Sequence, residues 1–305
     1  MMPIQHILGP VYLIDSPYHG LHGVLGTYLV KGEESMLIDP GPSAQVPGTI
    51  ASLSELGINT LRFIGLTHIH LDHSGGSWKM LEKFPEAEIF AHPKAVEHLI
   101  DPSRLTAAAR QYFGETFEKY GEVRSVNPMK IVESKDYQTI DLQGTSLKLI
   151  WTPGHASHSQ SFWEPENRIV IVGDSAGSYN KKTGNIFPLT PPPFNPDRAI
   201  ESVDKLIALR PEIICYSHFG YTYDALKKLV FYKEQLELWH KVVETGVKDG
   251  LDVNDLWVLL MEEDPILRLA AEDDANRKRM AIPNIAGLID YAKWKLKDKA
   301  DKAIT

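Results

Sequence analysis

The densest chemistry in the chain is His68-Ile69-His70-Leu71-Asp72-His73, which places three imidazoles and a carboxylate within six residues. Imidazole nitrogen and carboxylate oxygen are the donors that borderline divalent cations take. The stretch follows Leu61-Arg62-Phe63-Ile64-Gly65-Leu66, an apolar run that reads as a buried strand. On an extended segment His68 and His70 project to one side. Asp72 and His73 come where the chain turns into the next helix, so they aim at a second, neighbouring point. Gly75 and Gly76 let the backbone pass close by. With 12 histidines in 305 residues, this pattern arises by chance on the order of once per thousand such chains. The bland reading, a cluster of surface histidines, is therefore weak.

Three more donors sit where apolar strands end. His155 follows Ser146–Trp151 in Thr152-Pro153-Gly154-His155, Asp174 follows an Ile/Val run in Val172-Gly173-Asp174-Ser175, and His218 follows Glu212–Tyr216 in Ser217-His218-Phe219-Gly220. Strand ends are where open α/β layers gather ligands. Singly each reads as a loop histidine or a turn aspartate. With the first motif they make a set of seven.

The elements that must hold this set alternate. Short β-branched and aromatic runs at 11–15, 26–30, 35–41, 61–68, 88–92, 138–142, 146–151, 160–163, 168–172 and 212–218 read as strands. Helices are expected at 46–56, 74–84 and 197–209. An amphipathic helix is expected over 103–120, with Leu105, Ala109, Tyr112, Phe113, Phe117 and Tyr120 near one face. A Gly/Pro-rich loop spans 175–196. Beyond 220 the pattern is helical almost throughout. The expected organisation is a layered α/β domain over 1–220 and a helical extension over 221–305.

The order of the motifs, HxHxDH, TPGH, GD and SH, resembles the metallo-β-lactamase superfamily over roughly residues 10–220. The resemblance implies a four-layer αββα sandwich and two divalent metal ions, zinc first, with iron, manganese or cobalt as alternatives. It implies that His68, His70 and His155 hold one ion, that Asp72, His73 and His218 hold the other, and that Asp174 bridges them. Asp39, in Leu37-Ile38-Asp39-Pro40-Gly41, matches an aspartate that supports the metal loop. A finer match, over His98–Leu105 and Gly154–His158, is to a branch of glyoxalase II-like hydrolases. Two adjacent cations lower the pKa of a water between them and polarise a substrate oxygen. That chemistry suits hydrolysis of an ester-type bond: carboxyl ester, lactone, thioester or phosphodiester. Asp72 is expected to help position the hydroxide. Tyr221, Tyr223 and Tyr179 are candidates to donate to the leaving group, Tyr221 first; packing or solvent contact is the plainer role for each. His158 reads as a supporting residue, and His19 and His22 as rim residues.

Composition narrows the alternatives. A net charge of -8 argues against nucleic acid as a partner, leaving a small-molecule substrate. Cys215 is the one cysteine, so no disulfide forms within the chain and a reducing, cytoplasmic compartment is expected; inside a buried strand it reads as structural. No leader or membrane span is expected. A homodimer is the base-rate expectation. A mono-iron persulfide dioxygenase of the glyoxalase II type is one rival. A non-catalytic metal-binding scaffold is the other, and full occupancy of the seven positions weighs against it.

Overall fold

The computed structural model describes residues 3–18, 20–273 and 276–304; His19 lies outside them. By contact the chain forms two units. One comprises 1–151, 158–174 and 211–224, and the other 152–157, 175–210 and 225–305.

In the first unit, strands β1 (Ile4–Leu8), β2 (Val11–Ile14), β3 (Thr27–Val30), β4 (Met36–Ile38), β5 (Phe63–Gly65), β6 (Glu88–Ala91) and β7 (Ile131–Glu133) form one sheet in sequence order. Pairing is antiparallel to β4 and parallel from there. Parallel neighbours need long crossovers. Helix α1 (Val46–Glu55) supplies the first, α2 (Leu71–Ser74) and α3 (Ser77–Lys83) the second, and α4 (Pro93–Ile100) and α5 (Ser103–Phe113) the third. The second sheet contains β8 (Thr139–Asp141), β9 (Ser146–Trp151), β10 (Gln160–Glu164), β11 (Ile169–Ile171), β14 (Ile213–Tyr216) and β15 (Gly220–Thr222), in the order β15-β14-β11-β10-β9-β8.

Side-chain alternation explains why the central strands of the first sheet, such as β3 and β4, are apolar at nearly every position. Tyr28, Val30, Met36 and Ile38 face the second sheet and meet Leu149, Phe162, Ile171 and Cys215. Their neighbours Leu29, Leu37, Ile64 and Ile89 face the helices and meet Val46, Leu53, Trp78 and Met80. Strands buried on both faces lose the polar alternation of half-exposed ones. Leu37 is fully buried, and truncation to alanine costs about 2–5 kcal/mol. The result is the layered α/β sandwich expected from the motifs.

Several local expectations shift. The helix expected at 74–84 begins at Leu71 and breaks at Gly75-Gly76. A Cβ on Gly76 would meet Val46 Cγ2 at 2.3 Å and the Gly41 carbonyl oxygen at 2.9 Å, so the break lets two backbones meet. The helix expected over 103–120 ends at Phe113, and a 3-10 segment runs over Gly114–Tyr120. Gly114, at φ 55°, makes the corner. Tyr112 is exposed rather than part of the apolar face. A strand, β15, precedes the helices that were expected from 220 onward.

In the second unit, the loop at 175–196 carries a short hairpin, β12 (Ser178–Tyr179) with β13 (Ile186–Phe187). Helices α6 (Pro196–Ala208), α7 (Ala225–Lys248), α8 (Val253–Glu263), α9 (Pro265–Asp273) and α10 (Arg277–Ile304) follow. Buried Asp264, at the C-terminal end of α8, joins it to two more of them: Oδ2 accepts from Gln235 Nε2 and Trp239 Nε1, both at 2.8 Å, while Oδ1 accepts from the Ile266 and Leu267 amides. The carboxylate thus caps α9 and satisfies two donors of α7. Among the described residues no helix is long and apolar enough to cross a membrane.

Candidate metal centre

Asp39 organises the centre. It lies just past β4 in the left-handed region, at φ 51°, and is 2% exposed. Its Oδ1 accepts from the Thr67 amide at 2.8 Å. Its Oδ2 accepts from Thr67 Oγ1 at 2.7 Å, His73 Nδ1 at 2.8 Å and Ser217 Oγ at 3.0 Å. One carboxylate therefore ties together the segments that carry His68, His73 and His218. Tyr28 adds a second tie, its hydroxyl reaching the carbonyl oxygens of Tyr216 and Gly220 at 2.6 and 2.8 Å. This fixes both ends of the Ser217-His218-Phe219 turn. Gly173, at φ 56°, brings Asp174 in close: a Cβ there would meet Thr67 Oγ1 at 2.5 Å.

These bonds decide which ring nitrogen of each histidine is available. Because Asp39 only accepts, His73 Nδ1 carries the proton and Nε2 presents its lone pair inward. That Nε2 is buried without a well-formed hydrogen bond; Asp174 Oδ1 stands at 3.5 Å and Asp72 Oδ2 at 3.7 Å. Thr67 Oγ1 gives its proton to Asp39 and accepts from His68 Nδ1 at 3.1 Å, so His68 Nε2 also points inward. It meets His70 Nδ1 at 3.0 Å. Two ligand nitrogens on one tetrahedral zinc, with bonds of about 2.0–2.1 Å, stand roughly 3.3 Å apart.

Six of the seven expected ligands belong to the first unit, and they gather in two groups. His68, His70 and Asp174 form one and Asp72, His73 and His218 the other, with candidate ligand atoms within 4.8 Å of one another in each. Asp174 turns a different oxygen to each group. Oδ2 is 3.8 Å from His68 Nε2, and Oδ1 is 3.5 Å from both His73 Nε2 and His218 Nε2. His218 Nε2 also lies 3.3 Å from Asp72 Oδ2. The side chains of His68, His73 and Asp174 are 5% exposed or less, whereas Asp72 and His218 keep 19% and 26%. Asp72 and His218 in one group, and His70 in the other, are therefore the donors that reach toward solvent.

His155 belongs to the second unit. Its Nδ1 donates to the Leu189 carbonyl at 2.9 Å, which leaves Nε2 as the nitrogen with a lone pair. The turn that carries it packs closely: a Cβ on Gly154 would meet the Ala199 Cα at 2.4 Å.

The electrostatics are those of a cation site. Burial would lower the pKa of His73, but Asp174, Asp72 and Asp39 hold it well above the usual imidazole range. Burial would likewise lower that of His218, yet Asp174 and Asp72 push it up to about 10. Burial would raise that of Asp72, but His73 and His218 hold it below the usual carboxylate range. Clustered carboxylates thus draw positive charge to this point, as protons or as a divalent ion.

The other candidates are placed as follows. Tyr221 pairs with Cys215 across β14 and β15 and packs on the core between the sheets, 5.9 Å from the Tyr223 ring. Cys215 is fully buried, and burial pushes its thiol well up. The His158 ring stacks 6.4 Å from that of His68. His22 Nδ1 lies 3.2 Å from the Asp15 carbonyl oxygen. Two residues without a motif also enter the site's surroundings: Tyr18 and Tyr120 both feel the Asp72 carboxylate. No spacing rule singles them out, since one sits in a loop and the other ends a 3-10 turn.

The family model of the metallo-beta-lactamase superfamily matches residues 21–218, a span that includes every donor described above, and the chain belongs to that superfamily. It is 29% identical over 219 residues to the metallo-beta-lactamase fold-containing protein ST1585 of Sulfurisphaera tokodaii, covering 67% of this chain and 80% of that one. The crystal structure of ST1585 superposes with a TM-score of 0.66, at 27% identity, over 75% of this chain and 86% of that one. The probable metallo-hydrolase MJ0888 of Methanocaldococcus jannaschii is 28% identical over 168 residues, 53% of this chain and 75% of its own. A hydroxyacylglutathione hydrolase of Prochlorococcus marinus is 24% identical over 236 residues, 77% of this chain and 80% of its own.

Proposed function

We propose that the protein is a dinuclear metal-dependent hydrolase of an ester-type bond in a small-molecule substrate. The observation that carries this is the division of Asp174, one oxygen toward the His68–His70 group and the other toward the His73–His218 group. A single-cation site has no use for a second complete donor group. In this reading His68, His70 and His155 would hold one ion, Asp72, His73 and His218 would hold the other, and Asp174 would serve both. For His155 the support is its place in Thr152-Pro153-Gly154-His155 and the Nδ1 bond that turns Nε2 into the ligand atom. The donors, five imidazoles and two carboxylates with no thiolate, suit zinc, and also iron, manganese or cobalt. Two such ions supply Lewis acidity and make hydroxide available near neutral pH.

The chain's own residues do the rest. Asp39 and Thr67 fix the tautomers of His73 and His68, so neither ring reorients as substrate enters. Asp72, partly exposed, would help to hold the attacking oxygen in line. Relatives named metallo-hydrolase and hydroxyacylglutathione hydrolase support a hydrolytic role and keep a thioester among the bonds to try.

The test is a panel of a lactone, a glutathione thioester, a carboxyl ester and a phosphodiester, assayed with purified protein and with His70→Ala. Hydrolysis of one class, abolished by the substitution, supports the proposal. One iron per chain, no hydrolysis and oxygen uptake with a persulfide overturns it in favour of dioxygenation.

A further inference from the structure

Within the second unit, a chain of hydrogen bonds joins the C-terminal helix α10 to His155. It passes through a single peptide group, the one between Leu189 and Thr190. The carbonyl of that peptide accepts from His155 Nδ1 at 2.9 Å. Its amide donates to Asn284 Oδ1, on α10, at 2.6 Å. Asn284 Nδ2 in turn donates to the Met280 carbonyl, one helical turn back, at 3.0 Å. This last bond fixes the face of the Asn284 amide, with nitrogen on its own helix and oxygen on the loop. The bonds therefore run head to tail, each group donating to the next from His155 to Met280.

The loop is held to the helix at further points. Thr190 is fully buried, and its Oγ1 donates to the Asn284 carbonyl at 2.7 Å. Gly287, the next turn along α10, leaves room for the loop: a Cβ there would run into the Thr190 carbonyl oxygen and stand 2.9 Å from the Pro191 carbonyl carbon. The backbone before His155 is held separately. The Gly154 carbonyl accepts from the Asn195 amide at 3.0 Å, and the Pro153 carbonyl accepts from Ser202 Oγ at 2.7 Å. Thus α6 and its cap fix where the turn sits, and the peptide tied to α10 fixes which way the ring points. A peptide group is planar, so pinning its N–H also aims its carbonyl. Bonds in such a chain polarise one another, which makes the Leu189 carbonyl a better acceptor and His155 Nε2 a stronger ligand atom.

We infer that Asn284 is a positioning residue for the metal centre: through the Leu189–Thr190 peptide it holds His155 with Nε2 as the ligand atom, so α10 sets the affinity for the ion at His155. The inference rests on the reading above in which His155 would hold an ion. The plainer role for Asn284 is to satisfy a buried amide in a packed loop. That role affects stability. The positioning role affects the His155 tautomer and the affinity for one ion.

The experiment uses the full chain with Asn284→Ala, Asn284→Asp and Gly287→Ala. Asn284→Asp keeps an acceptor for the Thr190 amide. Gly287→Ala pushes on the same loop with a better helix former, so the question stays answerable if Asn284→Ala does not fold. Zinc affinity is read by competition with a chromophoric chelator. Long-range 1H–15N spectra of the metal-free protein, at about pH 8 where an ordinary imidazole is neutral, report which nitrogen of His155 carries the proton. Wild type and Asn284→Asp should keep the proton on Nδ1 and bind two zinc ions alike. Asn284→Ala and Gly287→Ala should mix the tautomers and weaken one ion about tenfold, leaving the other unchanged. In a His218→Ala background the ion that remains should be the one weakened. Wild-type tautomer and affinity in Asn284→Ala, even with a lower unfolding midpoint, overturn the inference. Equal weakening of both ions, or Asn284→Asp as damaging as Asn284→Ala, also overturns it. If the wild-type protein binds fewer than two zinc ions, the dinuclear reading fails by itself. The His155 tautomer then decides: a mixture in Asn284→Ala supports the positioning role, and a proton still on Nδ1 refutes it.

Discussion

Replacing Asp39 with asparagine isolates the role of a residue that need not touch a metal to control one. Three donors converge on Oδ2: Thr67 Oγ1, His73 Nδ1 and Ser217 Oγ. An amide with its oxygen kept on the Thr67 backbone amide places an NH2 group among them. The two hydroxyls can rotate and accept. The imidazole N–H cannot, so His73 must swap tautomer and place its proton on Nε2, the atom that faces Asp72 and Asp174. The stability loss is that of one charge-assisted bond, about 1.5–3 kcal/mol. Loss of such a supporting bond typically weakens metal binding 10–100-fold, and about 1.4 kcal/mol corresponds to each factor of ten. The two estimates agree in size. Competition titration with a chromophoric chelator should show one of two cations weakened by that factor in Asp39→Asn. Wild-type affinity for both cations would refute the claim that Asp39 sets the His73 tautomer.

Three further outcomes follow from the same geometry. Gly173→Ala forces a side chain into φ 56° and against Thr67, at a cost of about 1–2 kcal/mol for the backbone alone. Its melting temperature and metal affinity should fall together, and a change in stability without a change in affinity would separate Gly173 from the site. In chelator-stripped protein, His218 and His73 sit above their ordinary range, so their stabilising charge is full below about pH 6.5 and is lost as pH rises toward about 10. Cation binding near neutrality should accordingly release roughly two protons at the Asp72 group, read by calorimetry in buffers of different ionisation enthalpy; no buffer dependence would contradict this. On the acid side, burial and Lys94 lower His92 to about 4, and its neutral Nδ1 accepts from the Lys94 amide at the start of α4. The unfolded chain takes up this proton first, so stability is present above about pH 6.5 and is lost as pH falls toward about 4. His92→Asn keeps a capping acceptor and should flatten that slope in urea midpoints, whereas an unchanged slope would move its cause elsewhere.

The candidate donor groups were legible because most of their residues stand close together in sequence or at strand ends. His68 to His73 announce themselves by spacing, and Asp174 and His218 by standing at the ends of apolar strands. The layers were legible from the same runs, since strands buried on both faces are mostly apolar. What stayed hidden depends on approach between distant segments. The resemblance marks Asp39 as a support of the metal loop, but nothing in the sequence tells that its Oδ2 accepts from Thr67, His73 and Ser217 at once. Tyr120 read as one more residue of an amphipathic helix until Gly114 turned the chain into a 3-10 segment. Phe219, directly after His218, is buried in the core between the sheets, which its position beside a polar turn does not announce. Backbone geometry, not composition, made these differences.

Two complete donor groups that share Asp174 are the centre of the account, and metal stoichiometry tests them most directly. Elemental analysis of purified protein should give about two divalent ions per chain, and His218→Ala should retain about one. A single ion in the wild-type protein, bound as tightly in His218→Ala as before, would mean that the Asp72–His73–His218 group holds no metal and that the dinuclear account is wrong.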